Sequence, residues 1–226
     1  MAAVQPAIET ALASDWLRPE TVIVFPERTG LYLALAEEWP GVYGARNLAE
    51  AAARALAPSP ERWMGWVRRG LRSGWSGAAV QELFWAKAAR AAQLADELFG
   101  GLGARYRLAV VGGSGLSVRD GSVRVEGRVY GPDGGPIAAF GKERLDDFEA
   151  EVLGCPPGQS GRFAHAGQEY VVALGSDPPP SGGVALNPTA GAPCGSEAVA
   201  CRLQGRLWGE AYGAGQAQPA VRNVWL

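Results

Sequence analysis

Two residues carry the chemistry this sequence offers. Glu27 closes the apolar run of "TVIVFPERTG", and Lys142 comes after the run of "GPDGGPIAAFGKERL", 115 positions later. An apolar strand that ends on a carboxylate raises the question of a general base, because functional groups in sheet proteins gather beyond strand ends, where loops converge. Read without that role, each residue is a surface charge or half of a plain Glu–Lys ion pair. Nucleophiles are few. The cysteines are Cys155, Cys194 and Cys201, an odd number without the CxxC spacing of a metal site. His165, the single histidine, lies in the polar stretch "GRFAHAGQ" and is expected to be an exposed loop residue, so a histidine-based triad has one base to draw on.

The elements that must position these groups are set by apolar patterning. "TVIVF" is continuous enough for a strand buried on both faces of a parallel sheet. "AAVQPAI" opens like a short strand, and "AIETALASDWL" has helical spacing up to Pro19. Alanine-rich stretches from Asn47 to Leu56 and from Ala78 to Leu98 read as helices packed on a sheet. "RYRLAVVGGSG" is a second buried strand. The segment after its glycines alternates like a hairpin, with turns at "DG" and "PDGG", and does not open a helix, which argues against a phosphate-binding loop. "EYVVALGSD" and "GGVALNPTAG" add two more strands, while "EAVACRLQGRLWG" reads as helix and places Cys201 in a core. This order predicts one α/β domain over 1–226.

Composition narrows the function classes. With 21 Lys+Arg against 23 Asp+Glu, nothing points to nucleic acid or an anionic membrane surface. Trp63, Trp66 and Trp75 are interleaved with arginines, but without net positive charge they read as a lid or a packed helix. No apolar run approaches the ~20 residues of a membrane span, and the N-terminal stretch lacks the pattern of a signal peptide, so a cytoplasmic protein is expected. No pattern calls for a cofactor or a metal.

Taken together, "VIVFPE", "GGSG" and "GPDGGPIAAFGKERL" resemble the carbon–nitrogen hydrolase, or nitrilase, superfamily, in that family's order. "AAVQP" and "ALNPTAG" are similar to further family segments. The resemblance implies a nitrilase-type α-β-β-α sandwich, a homo-oligomer such as a dimer joined through its sheet-helix faces, and amidase-type hydrolysis of small amides or nitriles by a Glu-Lys-Cys site. Glu27 would be the base and Lys142 the cation beside the oxyanion; a thiolate would attack, and water would cleave the thioester.

The departure from the pattern lies at the nucleophile. In "VVALGSD" the cysteine's place is taken by Gly175. Either the protein is a catalytically inactive binding or assembly module on this fold, or another nucleophile serves. Ser176 would point away from the position of Gly175. Cys194, in the loop "TAGAPCGSE", is the better candidate, although a half-buried loop thiol is its plain alternative; Cys155 is less well placed. The acid expected after Lys142 is out of step, with Ala150 in its position between Glu149 and Glu151. Against the family, the chain reads as shortened at both ends.

Overall fold

The computed structural model describes residues 4–14, 17–56, 64, 67–68, 75–119, 122–178, 181–189, 199–202, 205–207 and 210–212. The chemistry-bearing half is built on two sheets. In the first, β1 (Val22–Val24) runs parallel to β2 (Ala109–Val111), with Val22 opposite Ala109. β2 and β3 (Gly115–Arg119) lie end to end along one side of β4 (Ser122–Tyr130), and β5 (Pro136–Gly141) pairs with its other side. Val129 thus faces Val111 on one flank and Ala138 on the other. The second sheet has the order β6 (Gly161–His165), β7 (Gln168–Val172), β8 (Val184–Thr189), β9 (Val199–Arg202). β6 and β7 form a hairpin, whereas β7, β8 and β9 run parallel. A further hairpin joins β10 (Gly205–Leu207) to β11 (Glu210–Tyr212).

The sheets pack face to face. Val111, Val129 and Phe140 of the first meet Phe163, Val172, Leu174 and Leu186 of the second. The opposite face of the first sheet carries helices. Leu116, Val123 and Val125 pack on Leu83, Phe84 and Ala88 of the Trp75–Ala95 helix and on Ala52 and Leu56 of the Leu48–Leu56 helix. That second helix is amphipathic, burying Ala51, Ala52, Ala55 and Leu56, and Asn47 caps it by accepting the Glu50 N–H at 2.9 Å. Helix, sheet and sheet are therefore three successive layers of the expected sandwich; a helical layer over the second sheet is not among the described residues. None of the helices among those residues is long and apolar enough to cross a membrane.

Several local expectations are corrected. Residues 4–13 form a helix where a short strand is expected from Val4 onward; Pro6 stands in the first turn, where its missing N–H takes nothing from the hydrogen-bond ladder. The Ala78–Leu98 stretch belongs to a longer helix that starts at Trp75, passes through a π-helical turn (Asp96–Gly100) and runs on to Tyr106. Gly100 and Gly103 let it approach the β4–β5 turn: a Cβ on either would come within 2.7 Å and 2.6 Å of the Gly134 and Gly131 carbonyl oxygens. β1 is half-buried, because among the described residues it pairs with β2 alone. "GRFAHAGQ" is strand β6 and the start of a hairpin, turning through Ala166 (φ 50°) and Gly167 (φ 78°). His165 accordingly ends a strand, half-buried, with Nε2 2.9 Å from the Pro19 carbonyl oxygen. Cys201 lies in strand β9, because parallel pairing with β8 overrides the local helical spacing. Trp63 and Trp66 fall outside the described residues; Trp75 opens the long helix.

Candidate functional site

Glu27 is held by the break between β2 and β3. The Phe25 N–H donates to the Val111 carbonyl at 2.9 Å, which carries the β1 pairing one residue further before Pro26 turns the chain. Gly113 (φ 68°) lies beneath that turn, and a Cβ there would sit 2.2 Å from the Pro26 carbonyl oxygen. Ser114 then grips the loop twice. Its Oγ accepts the Arg28 N–H at 3.0 Å, and its carbonyl accepts the Leu31 N–H at 3.2 Å. The "GGSG" stretch is thus a backbone seat for the glutamate loop.

Lys142 is fixed just past β5. Its carbonyl accepts the Gly158 N–H at 2.7 Å, and Gly141 donates to the Gln159 carbonyl at 2.6 Å. Asp177, fully buried, accepts the Glu143 and Arg144 N–H groups at 2.7 Å each, tying the lysine segment to the end of the second sheet. Beyond it, Asp146 and Glu149 form a reciprocal cap: the Glu149 N–H donates to Asp146 Oδ1 and the Asp146 N–H to Glu149 Oε2, both at 3.0 Å. The cap opens a π-helical turn, Phe148–Val152.

These seats bring Glu27 and Lys142 together. Lys142 Nζ lies 2.7 Å from Glu27 Oε1, 2.8 Å from Glu149 Oε2 and 3.4 Å from Asp146 Oδ2. Glu27, Lys142 and Glu149 are 2%, 4% and 1% exposed, so the cluster is screened from bulk solvent and its contacts are strong ones. Burial works to lower the Lys142 pKa, but the Glu27 and Glu149 carboxylates outweigh it and raise it. Burial pushes the Glu149 carboxyl up against the opposing pull of Lys142. For Asp146 the burial effect is overcome by the Glu149 N–H and by Arg28 and Lys142, which hold it below its ordinary value.

Gly175 faces this cluster. It adopts φ 57°, and a Cβ built on it would lie 3.1 Å from Glu27 Oε1, 3.1 Å from Lys142 Cε and 3.3 Å from Glu27 Oε2. The turn is pinned to β8: its N–H donates to the Pro188 carbonyl at 2.9 Å, and Asn187 Nδ2 donates to the Gly175 and Ala173 carbonyls at 3.2 and 2.7 Å. Chemically, the arrangement offers an acceptor and a cation at one point, with the backbone of Gly175 packed closely against both.

The other nucleophile candidates divide. Ser176 is exposed. Cys155 is buried in the helix-side core, where burial, aided by the Glu149 charge, pushes its thiol up to about 11 and leaves it a poor nucleophile at neutral pH. Cys194 lies outside the described residues. The expected acid is also re-registered: Ala150 is exposed, and Glu149 reaches Lys142 instead. Sequence reading passed over Arg28, Asp146, Glu149, Asp177 and Asn187 as site residues. The D-x-x-E spacing of "DDFE" signals the Asp146–Glu149 cap. Among the described residues, no group of three or more His, Cys, Asp or Glu is arranged to hold a metal.

No family model matches the sequence, and no curated protein matches it. Among solved structures, it is similar to a cysteine-to-serine mutant of the Nesterenkonia AN1 amidase of the nitrilase superfamily, at 16% identity over 48% of this chain and 44% of that one, TM-score 0.38. It is also similar to the NitN amidase of the same organism, at 17% identity over 50% and 49%, TM-score 0.41. A third is a CN-hydrolase superfamily protein from Xanthomonas campestris with an arsenic adduct in the active site, at 18% identity over 40% of each chain, TM-score 0.35. The matched part spans less than half the length of each of these proteins.

Proposed function

We propose that the protein is a carbon–nitrogen hydrolase-like enzyme acting on a small amide or nitrile at the Glu27–Lys142–Glu149 cluster. The observation that carries this reading is the buried three-way contact itself, 2.7 and 2.8 Å from one ammonium to two carboxylates. Burying such a group costs more than packing apolar side chains of the same volume, so a cluster kept at strand ends calls for a use beyond stability. In the proposed route the Cys194 thiol passes its proton to Glu27, and the thiolate adds to the amide carbon. Lys142 faces the oxyanion, and Glu149 holds the ammonium in place. Collapse expels ammonia, which regains the proton from Glu27, and water then cleaves the thioester.

A second reading, a catalytically inactive module that binds without cleaving, is favoured by Gly175, which presents no nucleophile where the cluster points. Ammonia release from a panel of small amides and nitriles separates the two. The enzyme reading expects turnover by the wild type that is abolished in Glu27→Gln and Cys194→Ala. Turnover gained only in Gly175→Cys establishes the inactive reading. Activity unaffected by Glu27→Gln sinks both assignments of the site.

A further inference from the structure

The helix side of the first sheet holds a cavity that the Glu27–Lys142–Glu149 cluster does not use. Opposite β4 the ladder is regular up to Gly112, whose N–H donates to the Arg128 carbonyl at 3.0 Å. It resumes with Gly115 opposite Glu126, so Gly113 and Ser114 together stand against Gly127 alone, the two-against-one count of a β-bulge. The long helix meets this point with its π-helical turn, Asp96–Gly100. Each feature is an irregularity in a regular element, and both kinds recur beside functional sites. The space between them is about 30 Å³, room for roughly two waters. It stays open because its walls are small: Ala91, Ala92 and Ala95 on the helix, Gly113, Gly115 and Gly127 on the sheet.

Asp96, Arg128 and Glu126 are the charged groups in its lining. Asp96 and Arg128 satisfy each other. Asp96 Oδ1 accepts Arg128 Nη1 and the Tyr130 hydroxyl at 2.7 Å each, and the pair, 42% and 38% exposed, marks the mouth. Glu126 lies deeper, with 17% of its side chain exposed. Its Oε2 accepts the Ser117 hydroxyl at 2.7 Å, a neutral donor that leaves the charge uncompensated. Oε1 has no hydrogen bond among the described residues. The ion-pair contact it makes there is with Arg119 Nη1 at 3.9 Å, on a side chain 64% exposed, too long for a hydrogen bond and screened by solvent. Oε1 also keeps accessible surface, since it is not one of the sealed, unpartnered atoms. A largely buried carboxylate with a free oxygen calls for a cation that donates hydrogen bonds.

We infer that this cavity binds a small primary ammonium ion of methylammonium size, its N–H groups on Glu126 Oε1 and Ser117 Oγ and its methyl group against Ala92, Ala95 and Leu116. Ser117 has given its proton to Glu126, so towards a ligand its oxygen only accepts. Two heavy atoms fill the space of two waters. Few polar atoms and apolar walls suit an alkylammonium ion better than a bare metal ion, which needs a fuller shell of oxygens. This does not rest on the small-amide reading, because none of Glu27, Lys142 and Glu149 lines the cavity.

The test follows the backbone amide resonances of Gly115 and Gly127 by NMR while methylammonium chloride replaces potassium chloride at constant ionic strength. The wild type is expected to give saturable shifts, and tetramethylammonium, which has no N–H and exceeds the space, to give none. Glu126→Gln keeps the shape and still accepts the Ser117 hydroxyl; it is expected to weaken binding about ten- to a hundredfold, the range for hydrogen bonds to a charged group. Ala92→Leu exchanges one strong helix former for another, fills the cavity without touching a charge and should abolish the shifts, so it carries the test if Glu126→Gln fails to fold. No saturable shift in the wild type, an equal response to tetramethylammonium, or binding that survives either variant overturns the inference and leaves the small-amide reading untouched.

Discussion

Replacing Lys142 with methionine tests whether the cluster is held by charge. The substitution keeps the volume of the chain and removes the ammonium that two buried carboxylates share at 2.7 and 2.8 Å. At an effective dielectric near 20, each contact carries about 6 kcal/mol of gross attraction. Most of that offsets the cost of taking three charges out of water, and breaking a buried pair typically shows as a net loss of about 3–5 kcal/mol. Lys142→Met is therefore expected to lose that much stability in urea unfolding near pH 8. The loss should shrink on acidification. Burial already raises the Glu149 carboxyl, and without Lys142 it rises further, so the folded variant takes up a proton before the unfolded chain does. Its stability then grows as pH falls from that raised value towards the ordinary carboxylate range, which is the sign linkage requires when the folded state binds more protons. A triple variant, Lys142→Met with Glu27→Gln and Glu149→Gln, removes all three charges and should recover most of the loss. A single-variant loss below about 1 kcal/mol, flat in pH, is what an exposed ion pair gives and would refute the buried-cluster argument.

Other perturbations address the seats. Wild-type stability should fall on the alkaline side in a way Lys142→Met does not share: the folded Lys142 pKa lies above the ordinary 10.5, so its contribution is whole below 10.5 and is lost as pH rises through the folded value. Asp177→Asn leaves one oxygen for two N–H groups that now bond at 2.7 Å, and a loss of about 1–3 kcal/mol in thermal unfolding is expected. Gly175→Ala places a Cβ 3.1 Å from Glu27 Oε1 at φ 57° and should cost about 1–2 kcal/mol from the backbone alone, read by chemical denaturation. Gly113→Ala meets the Pro26 carbonyl oxygen at 2.2 Å, a backbone atom that cannot step aside, and should lose about 4 kcal/mol or more.

The legible part of the sequence divides from the rest along the range of the interactions involved. The apolar runs gave β1, β2 and β7, the hairpins "DG" and "PDGG" were bracketed by strands, and Glu27 and Lys142 at their ends do share one buried site. Local pattern failed where a tertiary partner decides. β9 has the spacing of a helix but pairs with β8, and β6 looks like a polar turn because its alternate residues Arg162 and Ala164 are exposed while Gly161 and Phe163 are buried. The second glutamate was hidden by a register effect. Counting onward from Lys142 lands on exposed Ala150, yet the reciprocal cap with Asp146 draws the preceding side chain back, and Glu149 Oε2 lies 2.8 Å from Lys142 Nζ. A capping side chain acts before the first turn has set a helix phase, so periodicity does not locate it. Here Glu149 completes the coordination of the ammonium, which Glu27 and Asp146 would leave with one carboxylate contact under 3 Å. The cap and the lysine are therefore one device: the hydrogen bonds that hold Glu149 to Asp146 also place its carboxylate on the ammonium.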